Sequence, residues 1–170
     1  PNGQELDEVS AGYAEVLLGA YPEDQKLRTQ LLDLLLQLNN FDRAQKHLDQ
    51  WPNPDPVLKP FYQLALDAQV MASKSNADAS VAATVSDADR LALAERFRAF
   101  DYKALPDAQL QTLAKLALAS QVPAVAADSF VELAKRQPEQ ATSWLEQAAK
   151  WYLASEQPGK AAAIYVQLLE

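Results

Sequence analysis

Residues 107–138, DAQLQTLAKLALASQVPAVAADSFVELAKRQP, carry the pattern of two short helices joined by a tight turn. The first half repeats apolar side chains at the i, i+3, i+4 and i+7 spacing of one helical face, at Leu110, Leu113, Ala114 and Ala117. The second half has the same kind of stripe at Ala126, Phe130 and Leu133. Pro123 stands between the halves, where a helix interior would exclude it. We therefore predict a helical hairpin that needs neighbours, because neither helix buries its apolar face alone.

The same hairpin pattern recurs on both sides of this stretch. The upstream copy consists of Leu31, Leu32, Leu35, Ala44, Leu48, Trp51 and Pro56. The interval from the small residue of the second helix to the closing proline is 12 in both copies, from Ala44 to Pro56 and from Ala126 to Pro138. The downstream copy consists of Trp144, Ala148, Trp151, Ala161, Tyr165 and Leu168, with a turn at 157–160 that we expect to be one residue longer.

The spacing and residue classes of these copies resemble the tetratricopeptide repeat, a helical hairpin of about 34 residues. The stretch LNNFDRA at 38–44 is similar to that family's turn into its second helix. The resemblance implies an all-α fold, a right-handed superhelical array of antiparallel helical hairpins. On this interpretation the chain 1–170 is one segment of a longer array, divided into a second helix at 1–21, a repeat at 22–56, an irregular repeat at 57–105, and repeats at 106–138 and 139–170.

The repeat at 57–105 is too long for its neighbours. Pro56 and Pro106 are 50 residues apart, about 16 more than one repeat. The surplus, SKSNADASVAATVS at 73–86, is small and polar, so we expect a mobile loop there. A helix that continues through 73–80 is the alternative, because Ala is frequent in this stretch. The other helices are expected at about 5–20, 24–38, 41–51 and 57–72 and from residue 87 onward, with Val9, Ala14 and Leu17 inward on the first and Asp55 capping the fourth.

Composition limits the possible functions. The chain has no Cys, which excludes a disulfide framework and thiol catalysis, and a formal charge of −8, which argues against nucleic acid as a partner. It has no run of 18 apolar residues, so no membrane span is expected in this segment. The only histidine, His47, is expected to be a partly exposed surface residue, and no glycine-rich phosphate loop is present. We therefore predict a non-enzyme without cofactor or metal.

Two sets of residues are candidates for binding a partner. Residues 1–24 hold six acids and no Lys or Arg, and these acids could attract a basic surface or simply form a solvated face: Glu5, Asp7, Glu8, Glu15, Glu23 and Asp24. By the register of the repeats, the inner groove of the array would be lined by Thr29, Asp33, Leu36, Gln37, Gln111, Lys115, Leu118, Leu145, Ala149 and Tyr152. Within the groove we single out the hydrogen-bonding and aromatic members, which are Asp33, Gln37, Gln111, Lys115 and Tyr152. The aromatic residues at packing positions are expected in the core: Trp51, Trp144, Trp151 and Tyr165.

The Ala-, Leu- and Gln-rich repeats also resemble, more narrowly, the periplasmic arrays of bacterial exopolysaccharide export proteins. The stretch LGAYPEDQKLRTQLLDLLLQLNNFDRAQKHLDQW at 18–51 is the part most similar to the Pel polysaccharide export family. This resemblance implies a periplasmic, non-catalytic scaffold of an outer-membrane protein of biofilm-forming bacteria. Its partner would be a polysaccharide deacetylase or hydrolase with a basic surface, and a cationic polysaccharide could be guided along it. The alternatives are a peptide-binding adaptor in assembly or lipoprotein pathways, and a fragment of an enzyme.

Overall fold

A computed structural model describes residues 3–76 and 85–169, and these residues form helices and no strand. This confirms the all-α class. The described α-helices are α1 (Gly3–Ala20), α2 (Gln25–Gln37), α3 (Phe41–Asp49), α4 (Leu58–Asn76), α5 (Asp87–Ala99), α6 (Asp107–Ala119), α7 (Pro123–Arg136), α8 (Ala141–Ala154) and α9 (Pro158–Leu169). Single 3₁₀ turns at Tyr102–Ala104 and Pro138–Gln140 precede α6 and α8.

The chain divides into two compact units, Pro1–Met71 and Ala72–Glu170. The core of the first unit is formed mainly by large side chains of α2, α3 and α4, including Leu31, Leu32, Leu35, Leu48, Phe61 and Tyr62. The core of the second unit is formed by α5 to α9 and includes Phe97, Leu105, Leu110, Leu113, Phe130 and Leu133. Part of each core comes from the apolar stripes that the sequence pattern marks: Leu31, Leu32, Leu35 and Leu48 in the first unit, and Leu110, Leu113, Phe130 and Leu133 in the second.

Three hairpins close with the same turn. Its central residue has a positive φ in each case: 56° at Asn39, 59° at Gln121 and 58° at Glu156. The amide of the following residue donates to the carbonyl five residues earlier, and the donor–acceptor distance is 2.8 Å in all three turns. This is the Schellman arrangement, which satisfies the last carbonyls of a helix and reverses the chain. The hairpins α2–α3, α6–α7 and α8–α9 thus share one local structure.

The third copy has a different register from the one that the sequence pattern suggests. α6 and α8 bury equivalent residues that are 35 positions apart in the chain. α6 buries Leu110, Leu113, Ala114 and Ala117, and α8 buries Leu145, Ala148, Ala149 and Tyr152. From Ala149 to Ala161 there are 12 residues, the same interval as from Ala114 to Ala126. The turn of the third hairpin is therefore as long as the turn of the α6–α7 hairpin, and the prediction of a longer turn was wrong. The extra residue of this copy lies before α8 instead. The predicted groove positions Leu145, Ala149 and Tyr152 are instead packed into the second unit.

α1 buries only part of the face that was predicted: Ala14 is buried as expected, but Val9 is not. Its inward residues are Ala11, Ala14 and Leu18, whereas Val9 is 70% exposed and Leu17 is half-buried. The prediction for Val9 was wrong because α1 carries apolar side chains on more than one face. Periodicity alone does not say which face meets a neighbour.

The aromatic residues that we expected in the core divide into three groups. Trp51 is buried, Trp144 and Trp151 are half-buried, and Tyr165 is 45% exposed. Tyr165 was wrongly predicted because α9 packs on α8 through Ala161 and Ile164, and no helix of the described residues covers its other face. The predicted groove residue Leu36 is likewise buried in α2.

Helix ends follow local capping chemistry. Asp55 Oδ1 accepts hydrogen bonds from the amides of Val57 and Leu58, both at 2.8 Å, as predicted for the start of α4. Ser86 and Asp89 form a reciprocal capping box at the start of α5.

Residues 73–76 belong to α4, so the first part of the predicted loop at 73–86 is helical. Most of the rest of the predicted loop, at 77–84, lies outside the described residues. The same holds for residues 77–80 of the alternative helix through 73–80.

Candidate partner-binding surface

α1 and α2 form the walls of an open apolar groove in the first unit. Its volume is ≈ 640 Å³. It is lined by Val9, Ser10, Tyr13, Ala14, Leu17, Leu27, Gln30, Leu31, Asp33 and Leu34. Of these lining residues, Asp33 alone carries a charge. A mostly apolar cleft with a few polar groups is the usual composition of a binding site, because burial of apolar surface supplies affinity and the polar groups fix the orientation of the ligand.

Asp33 is oriented by α4. Its Oδ1 accepts a hydrogen bond of 2.9 Å from the hydroxyl of Tyr62, which also lies 3.3 Å from the carbonyl oxygen of Thr29. The residue as a whole is exposed, but partial burial of the carboxyl group raises its pKa, and the hydrogen bond from Tyr62 opposes that effect. A carboxylate whose partner is neutral, at the edge of an apolar groove, is suited to receive a cation.

The acids of the first 24 residues are partly neutralised by α3. Glu8 and Glu15 each lie 3.0 Å from a guanidinium nitrogen of Arg43, and Glu15 Oε1 lies 2.9 Å from His47 Nε2. The hydrogen bond from Arg43 holds the pKa of Glu15 below its ordinary value, against the opposing effect of burial. The side chain of His47 is only 14% exposed, less than expected for a surface histidine.

The remaining acids of this segment have separate local contacts. Asp24 caps α2 by accepting from the Leu27 amide at 2.9 Å, and Glu23 accepts from Asn53 Nδ2 at 3.1 Å. Asp7 Oδ2 accepts from Gln37 Nε2 at 3.4 Å, so the structure brings two predicted binding residues together. Glu5 is exposed. The acidic stretch is therefore not one uniform charged face.

The predicted groove residues of the second unit lie on two helices. Gln111 is half-buried and Lys115 is exposed, both on α6. Tyr152 is 4% exposed, and its hydroxyl donates to Asp128 Oδ1 at 2.5 Å. Lys160 Nζ lies 4.9 Å from the centroid of the Tyr152 ring, and burial together with Asp128 raises the pKa of that tyrosine. The Tyr152 ring thus has little surface to offer a partner.

Arg136, at the end of α7, forms a cluster that the sequence pattern does not indicate. Its guanidinium donates to the carbonyl oxygens of Leu105 at 2.6 Å and Lys103 at 2.5 Å. It also lies 3.2 Å from Asp107 and 3.0 Å from Glu132. Only Glu132, one turn away in the same helix, could have been paired with it from sequence spacing. The cluster ties the end of α7 to the start of α6.

Within residues 3–76 and 85–169, no three His, Cys, Asp or Glu side chains are arranged to hold a metal ion. Every helix in the same ranges is too short or too polar to cross a lipid bilayer. Comparison of the chain with models of protein families, with curated proteins and with solved structures finds no match in any of the three.

Proposed function

We propose that this chain is a non-catalytic scaffold that binds other proteins. One observation carries the proposal: the three hairpins share a backbone turn, yet their first helices carry different exposed side chains at equivalent positions. Asp33, Lys115 and Lys150 are separated by 82 and 35 residues, the same intervals that separate the three turns, and all three are exposed. A constant framework with a variable polar surface is how helical repeats recognise partners.

The finer proposal concerns the biological setting. The similarity of residues 18–51 to the Pel polysaccharide export family supports a periplasmic scaffold that docks a polysaccharide deacetylase or hydrolase. The first unit supports a partner with a basic surface, because residues 1–71 hold eleven Asp and Glu against five Lys and Arg. Among its acids, Asp7 and Asp33 have neutral partners in Gln37 and Tyr62, so a basic group can approach them without displacing an ion pair. The amino groups of a cationic polysaccharide are also basic, so such a polymer could approach Asp7 and Asp33 in the same way.

The test is binding of a purified polysaccharide deacetylase to the chain, measured by biolayer interferometry at low and high salt. We expect saturable binding that weakens as salt rises, because exposed charges are screened. The variant Asp7→Asn with Asp33→Asn, which removes the two acids whose partners are neutral, should bind at least about tenfold more weakly. Glu139→Gln, at an exposed site in the Pro138–Gln140 turn, is the matched control.

Equal binding by this double variant and the control would show that Asp7 and Asp33 do not form the binding surface. Absence of binding to the deacetylase, to a hydrolase and to a cationic polysaccharide would remove the export setting.

A further inference from the structure

We draw no further inference here: the strongest candidate, the open apolar groove that α1 and α2 form in the first unit, carries nothing further because nothing in the structure shows what covers it.

Discussion

Replacing Arg136 by alanine should lower the free energy of unfolding of the second unit more than any other single change at an exposed or half-exposed charge there. The guanidinium donates to two backbone carbonyls before α6 and contacts the carboxylates of Asp107 and Glu132. Its side chain is 24% exposed, so water replaces only part of these contacts. The perturbation therefore removes a link between the two helices of one hairpin, α6 and α7.

The magnitude follows from the contacts. A hydrogen bond to a charged group contributes about 1.5 kcal/mol or more, and Arg136 makes two to carbonyl oxygens. The ion pairs to partly exposed carboxylates add about 0.5–1 kcal/mol together. Since water can reach part of the vacated space, we expect Arg136→Ala to cost about 2–3 kcal/mol. Arg136→Lys should cost about 1–2 kcal/mol, because an ammonium group cannot reach both carbonyls and both carboxylates in the planar fork of arginine.

The assay is urea denaturation followed by tryptophan fluorescence. A Trp51→Phe background leaves Trp144 and Trp151, both in the second unit, as reporters. Lys135→Ala is the matched control, since this neighbour is 67% exposed and lies 3.5 Å from Glu132. It should change the free energy of unfolding by less than about 0.5 kcal/mol. If Arg136→Ala and Lys135→Ala agree within that range, the cluster does not stabilise the hairpin and the reasoning is refuted.

Three further predictions concern the turn, the close packing and the charges. Gln121→Gly should leave the free energy of unfolding unchanged or raise it by up to about 1 kcal/mol. Gln121→Val should lower it by about 1–2 kcal/mol, because the φ of 59° disfavours a β-branched residue. Equal melting temperatures for the two variants would contradict the left-handed turn. Ala126→Leu should lower the free energy of unfolding by about 1–3 kcal/mol, because the larger side chain overpacks a completely buried site. Ala119→Leu, at an exposed site of α6, is the control and should not lower it, and chemical denaturation compares the two variants. Arg43 holds the pKa of Glu15 below its ordinary 4.5, so the pair stabilises the fold above that value and its contribution is lost as the pH falls through the lowered pKa. As the pH falls through 4.5 and below, the wild type should therefore lose more stability than Glu15→Gln, and parallel pH profiles would count against the pair.

The sequence alone determined the local features of this protein. The helices begin and end within a few residues of the predicted positions, and Asp55 caps α4 as expected. Ala44 and Ala126, which the repeat pattern marks as the small residues of the second helices, are completely buried. These features depend on periodicity, capping and backbone conformation over a few neighbouring residues, and such information is present in a short stretch of chain.

Only the tertiary structure decided which faces are covered and which charges are paired. Val9 and Tyr165 lie on apolar stripes that periodicity marks as core, yet both are exposed because no described helix covers their stripes. Glu15 belongs to a stretch without Lys or Arg, but Arg43, 28 residues away, lies against it once α1 and α3 are folded. In α8 the neighbouring Ala148 and Ala149 could each match the small residue of the repeat, so the sequence spacing left the register uncertain by one residue. The contacts of α8 with α7 and α9 decide that register. Burial and ion pairing are relations between elements distant in the chain, so they arise only when the helices pack.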